Sequence, residues 1–256
     1  MNFNRKFFLC ILLSFICGFL EVFGISATGE LSECIDLLAL GSIYSHVQFI
    51  PEIIFRYIPL LLFQVIYGTE LYKDFCISGI YYFSRSQSRI RWALPKLLFL
   101  FLVSAFFILS QLFGALLSAS TAFGKGIRCE FPWKIVFYFV IYTLFLFSST
   151  VWINGISICR NSMIGFVVFE ALIMSSIIIF TIYGTVTSDY YFQSQSSWFI
   201  RMTPAYHLAE AMKINISDYV EASVFFGAAS LMAIVFLLVA VTRHEFYNSN
   251  QEAEEI

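Results

Sequence analysis

Imidazole titrates near neutrality and is the commonest biological base and metal ligand, so the three histidines are the first candidates for chemistry. His46, His207 and His244 lie in three separate regions without ligand spacing. His244-Glu245 starts like a zinc-protease helix, but Phe246-Tyr247-Asn248 follow it and the second histidine is missing. No G-x-S-x-G is present to expose a nucleophilic serine. Gly124-Lys125 lacks the glycine five positions earlier that a phosphate loop requires. The six cysteines, Cys10, Cys17, Cys34, Cys76, Cys129 and Cys159, form no CxxC pair and no Cys/His cluster, which argues against structural zinc. Cys34 and Cys129 fall in two loops on one side of the chain's expected topology, either as a bonded pair or as two thiols. The expectation is a protein that is not an enzyme and holds no cofactor or metal of its own.

The remaining chemistry-bearing side chains sit inside apolar runs. Glu170 stands in "GFVVFEALIM" and Glu21 near the end of the first run. Thr143, Thr150, Asn154 and Ser157 recur at helical spacing, as do Ser104, Gln111, Gly114 and Ser118. Polar groups in hydrocarbon are expensive and are kept for a purpose. Two purposes fit: close helix–helix packing through small and hydroxylated residues, or a polar path for a substrate. On the second reading Gln111, Thr150, Asn154 and Glu170 line the path, with Pro204, His207 and Glu210 at its mouth. Glu170 would serve an ion-coupled carrier.

The elements that must position these residues follow from composition. Of 256 residues 59% are hydrophobic and 12% charged, against about 25% charged in a soluble domain. Such a chain belongs in a membrane. The formal net charge of -2 excludes the basic excess of a nucleic-acid binder. A membrane helix needs about 20 apolar residues, and six runs qualify: about 7–27, 53–69, 95–119, 133–158, 162–184 and 220–241. The first is longer than a signal-peptide core and lacks a clean cleavage site, so it is expected as a retained helix. With the N-terminus inside, nine basic residues are cytoplasmic (Arg5, Lys6, Lys73, Arg85, Arg89, Arg91, Lys96, Arg160, Arg243). Six lie outside: Arg56, Lys125, Arg128, Lys134, Arg201 and Lys213. The bias favours six spans with both termini inside. No repeat or linker divides the chain, which is expected as one integral membrane domain over 1–256.

The segment between the second and third runs is the richest, "GTELYKDFCISGIYYFSRSQSRIRWALPKLL". Gly68-Thr69 ends the second span, and a short amphipathic piece runs through Lys73-Asp74. Ser88 can cap a following helix; if that helix starts earlier, Arg85, Arg89 and Trp92 share a face. A positive-inside anchor accounts for Arg89, Arg91, Trp92 and Lys96, but not for the length of the segment or its opening.

Gly68-Thr69-Glu70-Leu71, then Ser88-Arg89, six residues, and Lys96-Leu97-Leu98, resemble the permease subunits of ABC-2-type transporters. A second likeness is Trp198 to Met212, "WFIRMTPAYHLAEAM", which looks like that family's short helix before the last span. Pro204 suits its start, with Tyr206, Glu210 and Lys213 on one face. The likeness covers the whole topology through loose motifs. The chain departs from the pattern at Gln64-Val65-Ile66-Tyr67, where acidic residues are usual, at Pro95, and in its short N-terminus. The resemblance implies an all-α polytopic protein in the bacterial cell membrane, with a cytoplasmic coupling segment and a short extracellular helix. It also implies a dimer, or pairing with a related permease, and a separate ATPase that binds the ATP. The coupling residues would be Glu70, Lys73, Arg85, Ser88, Arg89, Arg91, Trp92 and Lys96. The implied cargo is a hydrophobic or peptide-like substrate, as in antibiotic-peptide export. Readings from other classes are an ion-coupled transporter and a non-transporting sensor or assembly protein.

Overall fold

Apolar runs of bilayer length leave the backbone one way to satisfy its own hydrogen bonds, the α-helix. The computed structural model describes residues 3–23, 38–39, 50–81, 89–123, 132–186, 198–209 and 215–243, and no β-strand occurs among them. In chain order the helices are α1 (Phe3–Val22), α2 (Ile50–Tyr67), α3 (Glu70–Tyr81), α4 (Arg89–Phe123) and α5 (Pro132–Cys159). They continue with α6 (Ser162–Val186), α7 (Trp198–Arg201), α8 (Pro204–Leu208) and α9 (Ile216–Arg243).

Five stretches are long and apolar enough to cross a membrane: Ile50–Ile77, Arg89–Ser120, Trp133–Cys159, Ser162–Tyr183 and Ile216–Arg243. The protein is a multi-pass, all-α membrane protein. The helix from Arg89 begins earlier than the hydropathy of the third run suggests. Its 35 residues extend roughly 50 Å at 1.5 Å per residue, beyond a hydrocarbon core of about 30 Å. The surplus carries Arg89, Arg91 and Lys96.

α5 is the central helix. Its sequence is apolar or small and hydroxylated all the way round, the pattern of a helix with no water-facing side. From Tyr138 to Ile158 most side chains are buried, including Ser148, Ser149, Thr150, Asn154 and Ser157. α9 packs along it in parallel, through Trp133/Tyr219, Phe145/Phe226 and Trp152/Phe236. α6 returns antiparallel after a turn at Arg160-Asn161, and Gly165 lets it close on α5. A Cβ at Gly165 would stand 2.1 Å from Ser157 Oγ and 2.7 Å from the Ile153 carbonyl oxygen.

The third run's polar stripe finds its partner in α1. Phe7/Phe106 and Phe15/Phe113 advance together, so α1 and α4 run parallel. Their backbones touch: a Cβ at Gly18 would meet the Gln111 carbonyl oxygen at 2.1 Å, and one at Gly114 the Phe15 oxygen at 2.2 Å. Ser14 Oγ donates to the Phe107 carbonyl at 2.6 Å and Ser110 Oγ to that of Ile11 at 2.9 Å. Small residues and interhelical hydrogen bonds are how helices associate where lipid removes the hydrophobic drive. The opposite face of α1 presents Phe8, Leu12, Ile16 and Leu20, exposed and spaced by four.

α2 buries Ile53, Tyr57, Leu60, Phe63, Gln64 and Tyr67 along one face. Phe63 meets Phe107 of α4 with ring centroids 5.0 Å apart. α2 and α6 both lie beside α5 but have little direct contact with each other.

Candidate functional site: a polar lattice at one end of the bundle

The chain breaks at Gly68-Thr69, between α2 and α3. A Cβ at Gly68 would stand 2.3 Å from the Gln64 carbonyl oxygen and 3.3 Å from Ile153 of α5, so glycine permits both the turn and the approach. Asn154 of α5 holds the two sides of the break. Its Oδ1 accepts from the Tyr72 backbone N–H at 2.9 Å, and its Nδ2 donates to the Tyr67 carbonyl at 3.3 Å and to Thr150 O at 2.7 Å. A break in a helix leaves backbone groups without intrahelical partners, and a buried amide supplies both a donor and an acceptor.

Around this elbow α3 is tied to its neighbours by charge. Lys6 Nζ of α1 contacts both Glu70 carboxylate oxygens, at 2.8 and 2.7 Å. Asp74 pairs with Lys96 of α4. Phe75 is buried against the half-buried Trp92 of α4, with ring centroids 5.8 Å apart. Leu71 and Tyr72 are buried on the same side, whereas Lys73 and Ile77, four residues apart, face outward.

Arg89, the first residue of α4, reaches the last turn of α9. Its Nη1 donates to the Val241 carbonyl at 3.0 Å and the Thr242 carbonyl at 3.2 Å. Both carbonyls lie in the last described turn of α9, and the negative end of the helix dipole attracts the guanidinium. Helices α1, α2, α4, α5 and α9 thus converge on α3 or its anchor at one end.

No protein-family model matches this chain, and no curated protein or solved structure is similar to it.

Of the expected coupling residues, Glu70, Arg89, Trp92 and Lys96 lie inside the lattice. Lys73 and Arg91 are exposed at its surface. Arg85 and Ser88 lie outside the described residues. Engagement of Glu70, Lys96 and Trp92 with neighbouring helices gives them a bracing role that motif reading does not show. Lys6 and Asp74, their ion-pair partners, carry no motif, and only the fold marks them.

The expected path residues do not meet at one place. Gln111 Nε2 donates to Glu21 Oε2 at 3.2 Å in the α1/α4 seam. Thr150 Oγ1 bonds the Leu146 and Phe147 carbonyls of its own helix at 2.9 Å. Asn154 serves the elbow. Glu170 Oε2 stands 2.9 Å from the Tyr57 hydroxyl of α2, which also stands 3.0 Å from Gln64 Oε1. Tyr57 and Gln64 lack a motif; their seven-residue spacing on the buried face of α2 is the available signal.

Pro204 and His207 belong to a small unit packed against the far half of the bundle. Pro204 opens α8 after Thr203, whose backbone is extended. Ser176 of α6 accepts the Ala205 N–H at 3.0 Å, and Tyr142 of α5 donates to the Leu208 carbonyl at 3.1 Å. His207 is buried, its Nε2 lies 2.6 Å from the Arg201 carbonyl, and its ring stacks on Phe225 at 4.2 Å. α8 ends at Leu208 with Ala209 extended. The single helical face expected to join Tyr206 with Glu210 and Lys213 is therefore cut short; Glu210 and Lys213 lie outside the described residues. Cys34 and Cys129 also lie outside them, while Cys10, Cys17 and Cys159 are free thiols.

Proposed function

We propose that this chain is the membrane subunit of an ATP-driven transporter of the ABC-2 kind, with α1 as a sixth span and both termini cytoplasmic. A separate ATPase supplies the energy, and two membrane subunits together enclose the path. The observation that carries this reading is the braced elbow. The segment that resembles a coupling motif is held by α1, α4 and α5 together, through Lys6–Glu70, Lys96–Asp74 and Asn154–Tyr72.

A push on α3 from the cytoplasm reaches several helices at once. The ion pairs carry it to α1 and α4, Asn154 carries it to α5, and Arg89 links α4 to α9. Each contact is modest, since a net hydrogen bond contributes about 0.5–1.5 kcal/mol and an exposed ion pair about 0–1 kcal/mol. Together they make α3 and its neighbours move as one body, as rigid-body rocking between two states requires. The outward residues Lys73 and Ile77 are the surface offered to the ATPase. The parallel packing of α1 on α4 supports counting α1 as a span, because two helices crossing in the same direction suit six spans with the N-terminus inside. Aromatic and aliphatic interior surfaces favour a hydrophobic or peptide-like cargo.

The test is affinity purification of the full chain from its native membrane, followed by ATPase assay of the isolated complex. A co-purifying protein that hydrolyses ATP, and whose retention falls in Lys73→Glu with Ile77→Asp, is expected. A fully folded chain with no ATPase attached, or one whose ATPase ignores the double substitution, would sink the proposal.

A further inference from the structure

The face that α9 turns away from the bundle carries opposite charges at its two ends. Glu221, Val224, Met232, Val235, Val239 and Arg243 are all exposed, at steps that keep to one side of the helix. Glu221 and Arg243 stand 22 residues apart, roughly 33 Å at 1.5 Å per residue. A hydrocarbon core is about 30 Å thick. This face therefore crosses the apolar layer with a carboxylate at one headgroup region and a guanidinium at the other.

The guanidinium end of that pattern recurs on two other elements. On α1, Arg5 stands at the foot of the exposed Phe8, Leu12, Ile16 and Leu20. In the turn before α6, the exposed Arg160 precedes the exposed Met163 and Val167. The three arginines share the end of the bundle that holds α3. Lys6–Glu70 ties α1 there, Asn154–Tyr72 ties α5, and Arg89 ties the last turn of α9. Glu70 and Asp74, the acids of α3, are already engaged by Lys6 and Lys96. Among the described residues no carboxylate pairs with Arg5, Arg160 or Arg243. Each leaves an uncompensated positive charge at the foot of an apolar strip that faces lipid.

We propose that these three positions bind anionic phospholipids of the leaflet on the α3 side. The guanidinium takes the headgroup phosphate, which its fork of donors matches, and the acyl chains lie along the strip above it. An arginine stem can follow an apolar helix face while its charged head stays at the water interface. In the opposite leaflet Glu221 stands at the foot of the α9 strip and repels the same headgroup. Charge alone would serve a soluble phosphate equally well; the apolar strip is what makes the ligand a lipid. The surface depends on the membrane-crossing helices and not on an ATPase, because the purified chain binds the lipid with no second protein present.

The experiment is native mass spectrometry of the full chain released from nanodiscs of phosphatidylglycerol and phosphatidylcholine with identical acyl chains. Both lipids carry a phosphate, but choline neutralises it in the second. The lipid retained by the wild-type chain should be enriched in phosphatidylglycerol over the ratio in the disc. An arginine near an anionic surface is worth roughly fivefold in lipid partition. Arg5→Gln, Arg160→Gln and Arg243→Gln should each lower the enrichment in part, and together return it to the disc's ratio. The three lysine substitutions should keep most of it, and added inorganic phosphate should leave the bound lipid in place. Equal Tm values in discs of phosphatidylcholine alone check that the variants fold. Should the triple glutamine variant not fold, Arg243→Gln alone must lower the enrichment. A wild-type chain that retains lipid at the disc's ratio, full enrichment in the glutamine variants, or displacement of the lipid by inorganic phosphate would overturn the surface.

Discussion

Asn154 Oδ1 lies 2.9 Å from the backbone nitrogen of Tyr72, across 82 residues of sequence. This bond sets where α3 starts relative to α5. Removing Asn154 takes this acceptor from the buried Tyr72 N–H, and loss of a buried donor's acceptor costs about 1–3 kcal/mol. Asn154→Leu should lower stability by that order in thermal unfolding and shorten hydrogen-exchange protection of Tyr72. Asn154→Asp keeps the acceptor for Tyr72 but loses the donor to Tyr67, so it should fall between wild type and Leu. Full protection of Tyr72 in Asn154→Leu would contradict the elbow's dependence on Asn154.

Lys6–Glu70 and Lys96–Asp74 are two independent ties on α3. Their side chains are a quarter to two-fifths exposed, so each pair should contribute no more than about 1 kcal/mol. A double-mutant cycle on Lys6→Glu and Glu70→Lys should show favourable coupling, with the charge-swapped double variant near wild type. Coupling between the Lys6 and Lys96 single variants should be close to zero if the ties act separately. The readout is unfolding at low and high salt, with the effect shrinking as salt rises.

Arg89 caps the last carbonyls of α9. Arg89→Glu puts a negative group against the negative end of that helix, and a partly buried dipole contact is worth up to about 2 kcal/mol. The variant should lose stability and increase exchange in the last turn of α9, while Arg89→Lys should retain most of both. Unchanged exchange at Val241 and Thr242 in Arg89→Glu would show that Arg89 does not hold this turn.

The α1/α4 seam depends on two glycines at backbone contact. Gly18→Leu or Gly114→Leu must force the helices apart, since the clashing atoms are main-chain oxygens. Each should sharply reduce the yield of folded protein. Gly227 of α9 is the control, because a Cβ there meets nothing within 4 Å. Gly227→Ala should be tolerated or slightly stabilising through helix propensity, as judged by yield and Tm.

Much of the architecture was legible from local pattern. Each long helix lies within a few residues of an apolar run, because a membrane helix satisfies its backbone inside its own segment. The glycine at position 68 marked the end of α2 for a similarly local reason. The stripe of Ser104, Gln111 and Gly114 announced a close helix contact, without naming α1 as the partner. Gln111 and Asn154 had the right signature for buried polar residues, yet the same signature suits a substrate path and a structural tie. Which role each takes depends on what stands opposite.

By itself the sequence determined that this is a helical, multi-pass membrane protein, with basic residues gathered around the segment 68–98 and no recognisable nucleotide motif. Hydropathy and charge suffice for this because they act on each segment alone. Only the tertiary structure decided that Glu70 meets Lys6, that Asn154 spans the break after Tyr67, and that Tyr57 meets Glu170. Those pairings join residues 64 to 113 positions apart. Ordinary Lys and Tyr side chains acquire a role there only when close packing removes water and brings a partner within hydrogen-bond reach.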